Sequence, residues 1–201
     1  MHTIPDLRAA DEAAVRATVA LVERVRPADL GRPTPCAGWD LAALLAHLTA
    51  QHLGFAASAR GDGASLDEWR VRPLGDRPAA DHADAAEQVI AAFRAPGVLD
   101  RTFALPEFGE GVRVPGRQAI SFHFIDYVVH GWDVARSLAL PFALPAELLR
   151  AAVTVAEAIP DDDRRLAPGA AFAPRLSVPD DGEPLARILA LVGRSASWPE
   201  N

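Results

Sequence analysis

Asp126 and His130 stand four positions apart in a segment, Gly116 to Leu138, where Ile120, Phe124, Tyr127, Val128 and Val134 recur with helical spacing. Side chains so placed differ by about 40° in direction and about 6 Å along the axis, so a carboxylate and an imidazole can converge on one point. That is a chelating pair. A histidine from a facing helix would supply a third donor to a divalent cation and leave positions open for water or substrate. His47 is the natural candidate, because it follows Leu44 by three on a stripe of Leu41, Leu44, Leu45 and Leu48 that must face the interior. An Asp/His pair at this spacing is also often a local electrostatic contact, and spacing alone leaves both readings open.

The remaining candidates are weaker. His52 lies five residues beyond His47, about 140° around the helix, so the two cannot readily share an ion. His123 precedes His130 by seven residues on the same face but about 10.5 Å away, which suits a supporting or pocket-wall role. His2 and His82 sit in a terminus and at a helix start, and take no role. Cys36 stands just before a helix N-terminus, which would lower a thiol pKa, yet a lone cysteine is commonly a small buried apolar residue, and that reading is preferred. Trp39 and Trp132 read as core or pocket walls.

These residues need helices to hold them. Ala10, Ala14, Ala17, Leu21 and Val25 predict a first helix from Asp6 to about Val25, ended by Pro27. Asp40 is a plausible N-cap for the second, which runs to about Ala59 before Gly61. Asp81 opens a third with Ala86, Val89, Ile90 and Phe93, stopped by Pro96-Gly97, and Gly116 to Leu138 is the fourth. Pro145 starts a fifth, to Ile159. Thr102–Leu105 and Val112–Val114 fit short strands; Phe172–Val178 fits another, and Pro184–Val192 a short helix. The expected architecture is mainly α, a helical bundle over 1–160 with a small C-terminal α/β extension over 161–201 packed on it.

Composition narrows the partners. With 20 basic and 27 acidic side chains the net charge is −7, and a broad nucleic-acid or anionic-membrane surface is disfavoured. Half of the 201 residues are apolar, enough for a packed core, yet no run approaches the roughly 20 apolar residues of a membrane span. One cysteine cannot form an intrachain disulfide and Met1–Asp6 lacks the layout of an export signal, so a cytoplasmic protein is expected. A homodimer stays open.

The segment Thr34-Pro35-Cys36-Ala37-Gly38-Trp39-Asp40-Leu41, continuing through Leu44-Leu45-Ala46-His47-Leu48, resembles the opening motif of the mycothiol-dependent maleylpyruvate isomerase N-terminal family, a branch of the DinB-like metal-binding bundles. Asp126-Tyr127-Val128-Val129-His130-Gly131-Trp132-Asp133-Val134-Ala135 resembles its second motif, and Gly193-Arg194-Ser195-Ala196-Ser197-Trp198 is similar to the tail of one subgroup. The resemblance implies a DinB-like four-helix bundle with a divalent metal, zinc first and nickel or iron as alternatives, on His47, Asp126 and His130. It also implies a low-molecular-weight thiol of the mycothiol type as cosubstrate and a small electrophile as substrate, in a transferase or isomerase reaction.

Two departures matter. The helix-four acid is commonly Glu in the family, whereas Asp126 is one methylene shorter. Only about 40 residues follow the fifth helix, which leaves no room for a larger C-terminal domain. Arg70, Arg72, Arg77 or Arg113 could clamp a substrate carboxylate. A non-catalytic metal-binding or sensor protein, and metal-assisted hydrolysis, are the competing functions for the same ligands.

Overall fold

The computed structural model describes residues 4–167, 170–177 and 182–199. Six α-helices account for most of it: α1 Arg8–Val22, α2 Leu41–Arg60, α3 Pro78–Phe93, α4 Gly116–Ser137, α5 Ala146–Ala158 and α6 Pro184–Leu191. The first is shorter than its apolar spacing predicts, because Arg24 and Val25 donate to Leu21 and Val22 three residues back and Pro27 follows. The third starts ahead of Asp81, at Pro78, whose missing amide costs nothing in a first turn. Asp40 caps α2 as expected, its carboxylate accepting from the Ala43 amide at 2.8 Å. Gly61 ends that helix at φ 104°, in the left-handed region.

Helices α1 to α4 form the bundle: α2 packs on α3 and α4, and α1 on α4 and α3. The fifth helix lies outside it against α4, and α6 packs on α5. Leu44, Leu45 and Leu48 from α2 meet Ala86 and Val89 from α3 and Ile120, Phe124 and Val128 from α4 in one continuous core. Between α3 and α4 the chain makes a small hairpin, β1 Thr102–Ala104 antiparallel to β2 Arg113–Pro115, with Phe103 opposite Val114. Its tip overhangs the second helix.

That hairpin is the sheet of this fold, among the described residues. The segment expected to be a strand near Phe172–Val178 starts in a bend at Phe172 and is irregular through residue 177, and Val178 lies outside the described residues. Arg165 replaces the missing ladder: its buried guanidinium donates to the carbonyls of Pro160, Ala173 and Leu191 at 2.8–2.9 Å, pinning the chain after α5 to the end of α6. Among the described residues no helix is long and apolar enough to cross a membrane.

Candidate metal centre

The loop before α2 sets the first wall. Gly38 takes φ 82°, which only glycine adopts without strain, and the Thr34 hydroxyl donates to the Trp39 carbonyl at 3.0 Å. The Trp39 indole is thereby laid over two imidazoles, 4.8 Å from the His47 ring and stacked at 6.2 Å on that of His130. His47 comes from α2, and Asp126 and His130 from successive turns of α4.

One donor atom each from His47, Asp126 and His130 lies within 4.8 Å of the other two. Asp126 Oδ1 is 3.4 Å from His130 Nε2 and Asp126 Oδ2 is 3.9 Å from His47 Nε2. These separations suit donors converging on a common ion, since ligands about 2.0–2.2 Å from zinc stand roughly 3.5 Å apart. Asp126 Oδ2 is buried and has no hydrogen-bond partner, an arrangement that costs free energy unless a cation or donor meets it. His47 and Asp126 keep about a fifth of their side-chain surface exposed, so one side of the group faces solvent.

His130 is held from behind. Its Nδ1–H donates to Asp133 Oδ2 at 2.8 Å, which leaves the Nε2 lone pair directed toward Asp126 and His47. Asp133 is fully buried and receives the Arg194 guanidinium at 3.3 Å from just beyond α6. The Cys36 sulfur joins His130 and Asp133 in a second close group. Burial, opposed by Arg194, pushes that thiol up to about 11, against the lowering expected at a helix start, and Cys36 is half-buried beside polar groups rather than packed as a buried apolar residue.

Burial drives His47 down to about 4 against the pull of Asp126, which keeps its ring neutral and able to donate a lone pair. His130 goes the other way: burial opposes its charging, but Asp126 and Asp133 outweigh burial and raise its pKa. At the rim, one turn beyond His47, the Gln51 amide donates to Glu107 Oε2 at 2.7 Å, tying the hairpin tip to α2. Burial raises the Glu107 pKa, Gln51 opposing it.

The structure brings together the three residues picked from spacing and separates the others. His52 stays out of the group. His123 supports a different set, bonding Asp11 and His52 rather than the residues around His130. His82, given no role, is fully buried. Of the clamp arginines, Arg70 and Arg77 pair with Asp67 and Asp81, while the basic residue beside the centre is Arg194. Sequence reasoning missed Arg194 and the part played by Asp133; the i,i+3 spacing of His130 and Asp133 was the available signal for the latter.

The model of the mycothiol maleylpyruvate isomerase N-terminal domain matches residues 12–135 of the chain. Two uncharacterized proteins of Mycobacterium tuberculosis, from strains CDC 1551 / Oshkosh and ATCC 25618 / H37Rv, are each 31% identical over 191 residues, covering 92% of this chain and 96% of theirs. The crystal structure of the mycothiol-dependent maleylpyruvate isomerase superposes with a TM-score of 0.66 at 14% identity, over 98% of this chain and 91% of that one. A histidine-to-alanine mutant of that isomerase superposes with a TM-score of 0.58, also at 14% identity, over 77% and 70% of the two chains. At such identity the likeness is one of fold. The 91% coverage corrects the expectation that this chain lacks a larger C-terminal part of the isomerase.

Proposed function

The chain belongs to the mycothiol maleylpyruvate isomerase N-terminal domain family, and from that premise we propose a metal-dependent thiol enzyme, a transferase or isomerase joining a mycothiol-type thiol to a small electrophile. In this reading His47, Asp126 and His130 hold a divalent cation, zinc first. The observation that carries it is the convergence of the three donor atoms within 4.8 Å, with Asp126 Oδ2 left unpartnered. A bound cation would supply stabilisation of a sulfur anion, lowering a thiol pKa toward neutrality.

The chain's own groups do the rest. Asp133 accepts the His130 Nδ1 proton and so keeps Nε2 available as a donor. Trp39 covers the two rings and excludes water from that side, while the exposed side beneath Gln51 and Glu107 admits the thiol and electrophile. The α1–α4 bundle carries the ligands, and the segment beyond α6 acts through Arg194.

Purified protein should bind about one zinc ion per chain and consume mycothiol in the presence of an activated alkene or a similar electrophile, and His130→Ala should lose both. Turnover that proceeds equally without thiol would make the protein a metal-assisted hydrolase. Tight metal binding with no thiol consumption across an electrophile panel would make it a binding protein.

A further inference from the structure

The hairpin between α3 and α4 is fastened to two helices at once. Gln51 lies four residues past His47 on α2, and Phe122 lies four residues before Asp126 on α4. Each is one turn, about 6 Å along the axis, from a candidate ligand. Adjacent residues of the hairpin tip meet both of them. Glu107 Oε2 accepts from the Gln51 amide at 2.7 Å, and the Phe108 ring stacks on that of Phe122, with centroids 5.5 Å apart and planes 27° from parallel. The tip therefore bridges α2 and α4 one turn away from the group formed by His47, Asp126 and His130.

The side chains at this opening limit what can enter it. Phe122 is packed against the core, but Phe108 is 54% exposed, so a flat apolar surface stands uncovered at the rim. The tip, residues 105–112, carries Glu107 and Glu110 and no basic residue. The short turn packed beside it, Leu66–Trp69, adds Asp67 and Glu68, and Arg70 is already paired with Asp67. Arg194, the basic residue beside the centre, is buried against Asp133 behind His130. A carboxylate arriving here meets other carboxylates instead of a free arginine fork.

Charge balance adds to this. Ligating imidazoles are neutral, so Asp126 and one thiolate already balance a divalent ion and leave no positive charge over for a second anion. Glu107 has its own donor in Gln51, so it can repel an anion without requiring a cation. Resting on the thiol-enzyme reading, we propose that the electrophile is an uncharged aryl compound whose ring seats on Phe108 and Phe122, and that Glu107 excludes carboxylate substrates. Maleylpyruvate, the dicarboxylate in the family's name, would then be a poor substrate for this chain.

Zinc-loaded protein is given mycothiol with benzylideneacetone, or with its para-carboxylate or para-trimethylammonium derivative. Sulfur adds to the β-carbon and its proton to the α-carbon in all three, which differ in charge at the far side of the ring. The neutral ketone is expected to exceed the carboxylate in kcat/KM by about tenfold or more. Phe108→Ala should raise KM for the neutral ketone by about 2- to 12-fold with kcat little changed, the loss of one aromatic pair, and Phe108→Leu should recover part of it. Glu107→Arg should raise kcat/KM for the carboxylate and not for the neutral ketone. The saturated counterparts of the neutral and carboxylate probes cannot react, and their binding to the zinc-loaded protein without thiol is followed by ligand-observed NMR. The neutral one should bind and should be lost in Phe108→Ala. If it binds so while no probe consumes thiol, the thiol-enzyme reading fails and the aryl seat stands. Failure of the neutral ketone to bind, equal or better use of the carboxylate, or a preference for the trimethylammonium probe would each overturn the proposal.

Discussion

His130 Nδ1 donates to Asp133 Oδ2 at 2.8 Å, three residues on along the same helix, so the imidazole of the candidate metal centre is oriented by a carboxylate on the side away from Asp126 and His47. Replacing Asp133 with Asn keeps the shape but offers a neutral group that can present its amide to the ring. Loss of such a partner typically costs 10- to 100-fold in metal affinity. Zinc competition with a chelator should show a drop of that size in Asp133→Asn, with the fold retained by circular dichroism. Unchanged affinity would mean that His130 is positioned by its own packing.

Arg194 extends the same argument to the C-terminal tail. Its guanidinium and the Asp133 carboxylate are both buried, and removing one charge of a buried pair strands the other. Arg194→Gln is expected to lower stability by about 3 kcal/mol, and to weaken zinc binding in step with Asp133→Asn. A double variant no worse than either single one would show that the two residues act as one unit.

Much of this centre was legible beforehand. The i,i+4 spacing of Asp126 and His130 and the place of His47 on a leucine stripe sufficed to group them, because helical periodicity converts directly into direction. Arg194 was not legible: its contact with Asp133 spans 61 residues, and no local pattern encodes which arginine of a surface-rich set turns inward. The strand expected near Phe172 failed for a related reason. Its backbone groups bond elsewhere, the Ala173 carbonyl accepting from the Arg165 guanidinium and the Leu176 amide donating to the Ala190 carbonyl of α6 rather than to a neighbouring strand, a tertiary preference that overrides local pattern. His82 was passed over at a helix start because its burial depends on the packing of α2 against α3.

The buried imidazoles set the acid limit. His82 goes from an ordinary 6.5 in the unfolded chain to about 4 in the fold, and burial depresses His52 as well. The unfolded chain thus binds more protons below pH 6.5, so stability is full above that value and falls as the pH drops toward 4. The slope is roughly 1.4 kcal/mol per pH unit for each histidine. Urea midpoints measured between pH 7.5 and 4.5 should fall accordingly, and His82→Gln should flatten the curve by about one proton. A parent whose midpoint is level over this range would show that the rings are charged in the fold.

Gly131, the residue after His130, is needed where α1 crosses α4. A Cβ there would stand 2.7 Å from Thr18 Oγ1 and 3.0 Å from the Phe142 ring, closer than packed atoms allow. Thr18 is itself fixed, its hydroxyl bonded to the Ala14 carbonyl at 3.0 Å, so it cannot swing aside freely. Gly131→Ala gains helix propensity of up to about 1 kcal/mol but incurs an overpacking penalty of about 1–3 kcal/mol, and the net effect is expected to be destabilising. Because the strain arises beside His130, zinc affinity should fall with it. Thr18→Ala removes the nearest clashing atom, so the double variant should recover part of the lost stability. Strict additivity of the two changes would sink the packing explanation and leave the glycine with another reason to be there.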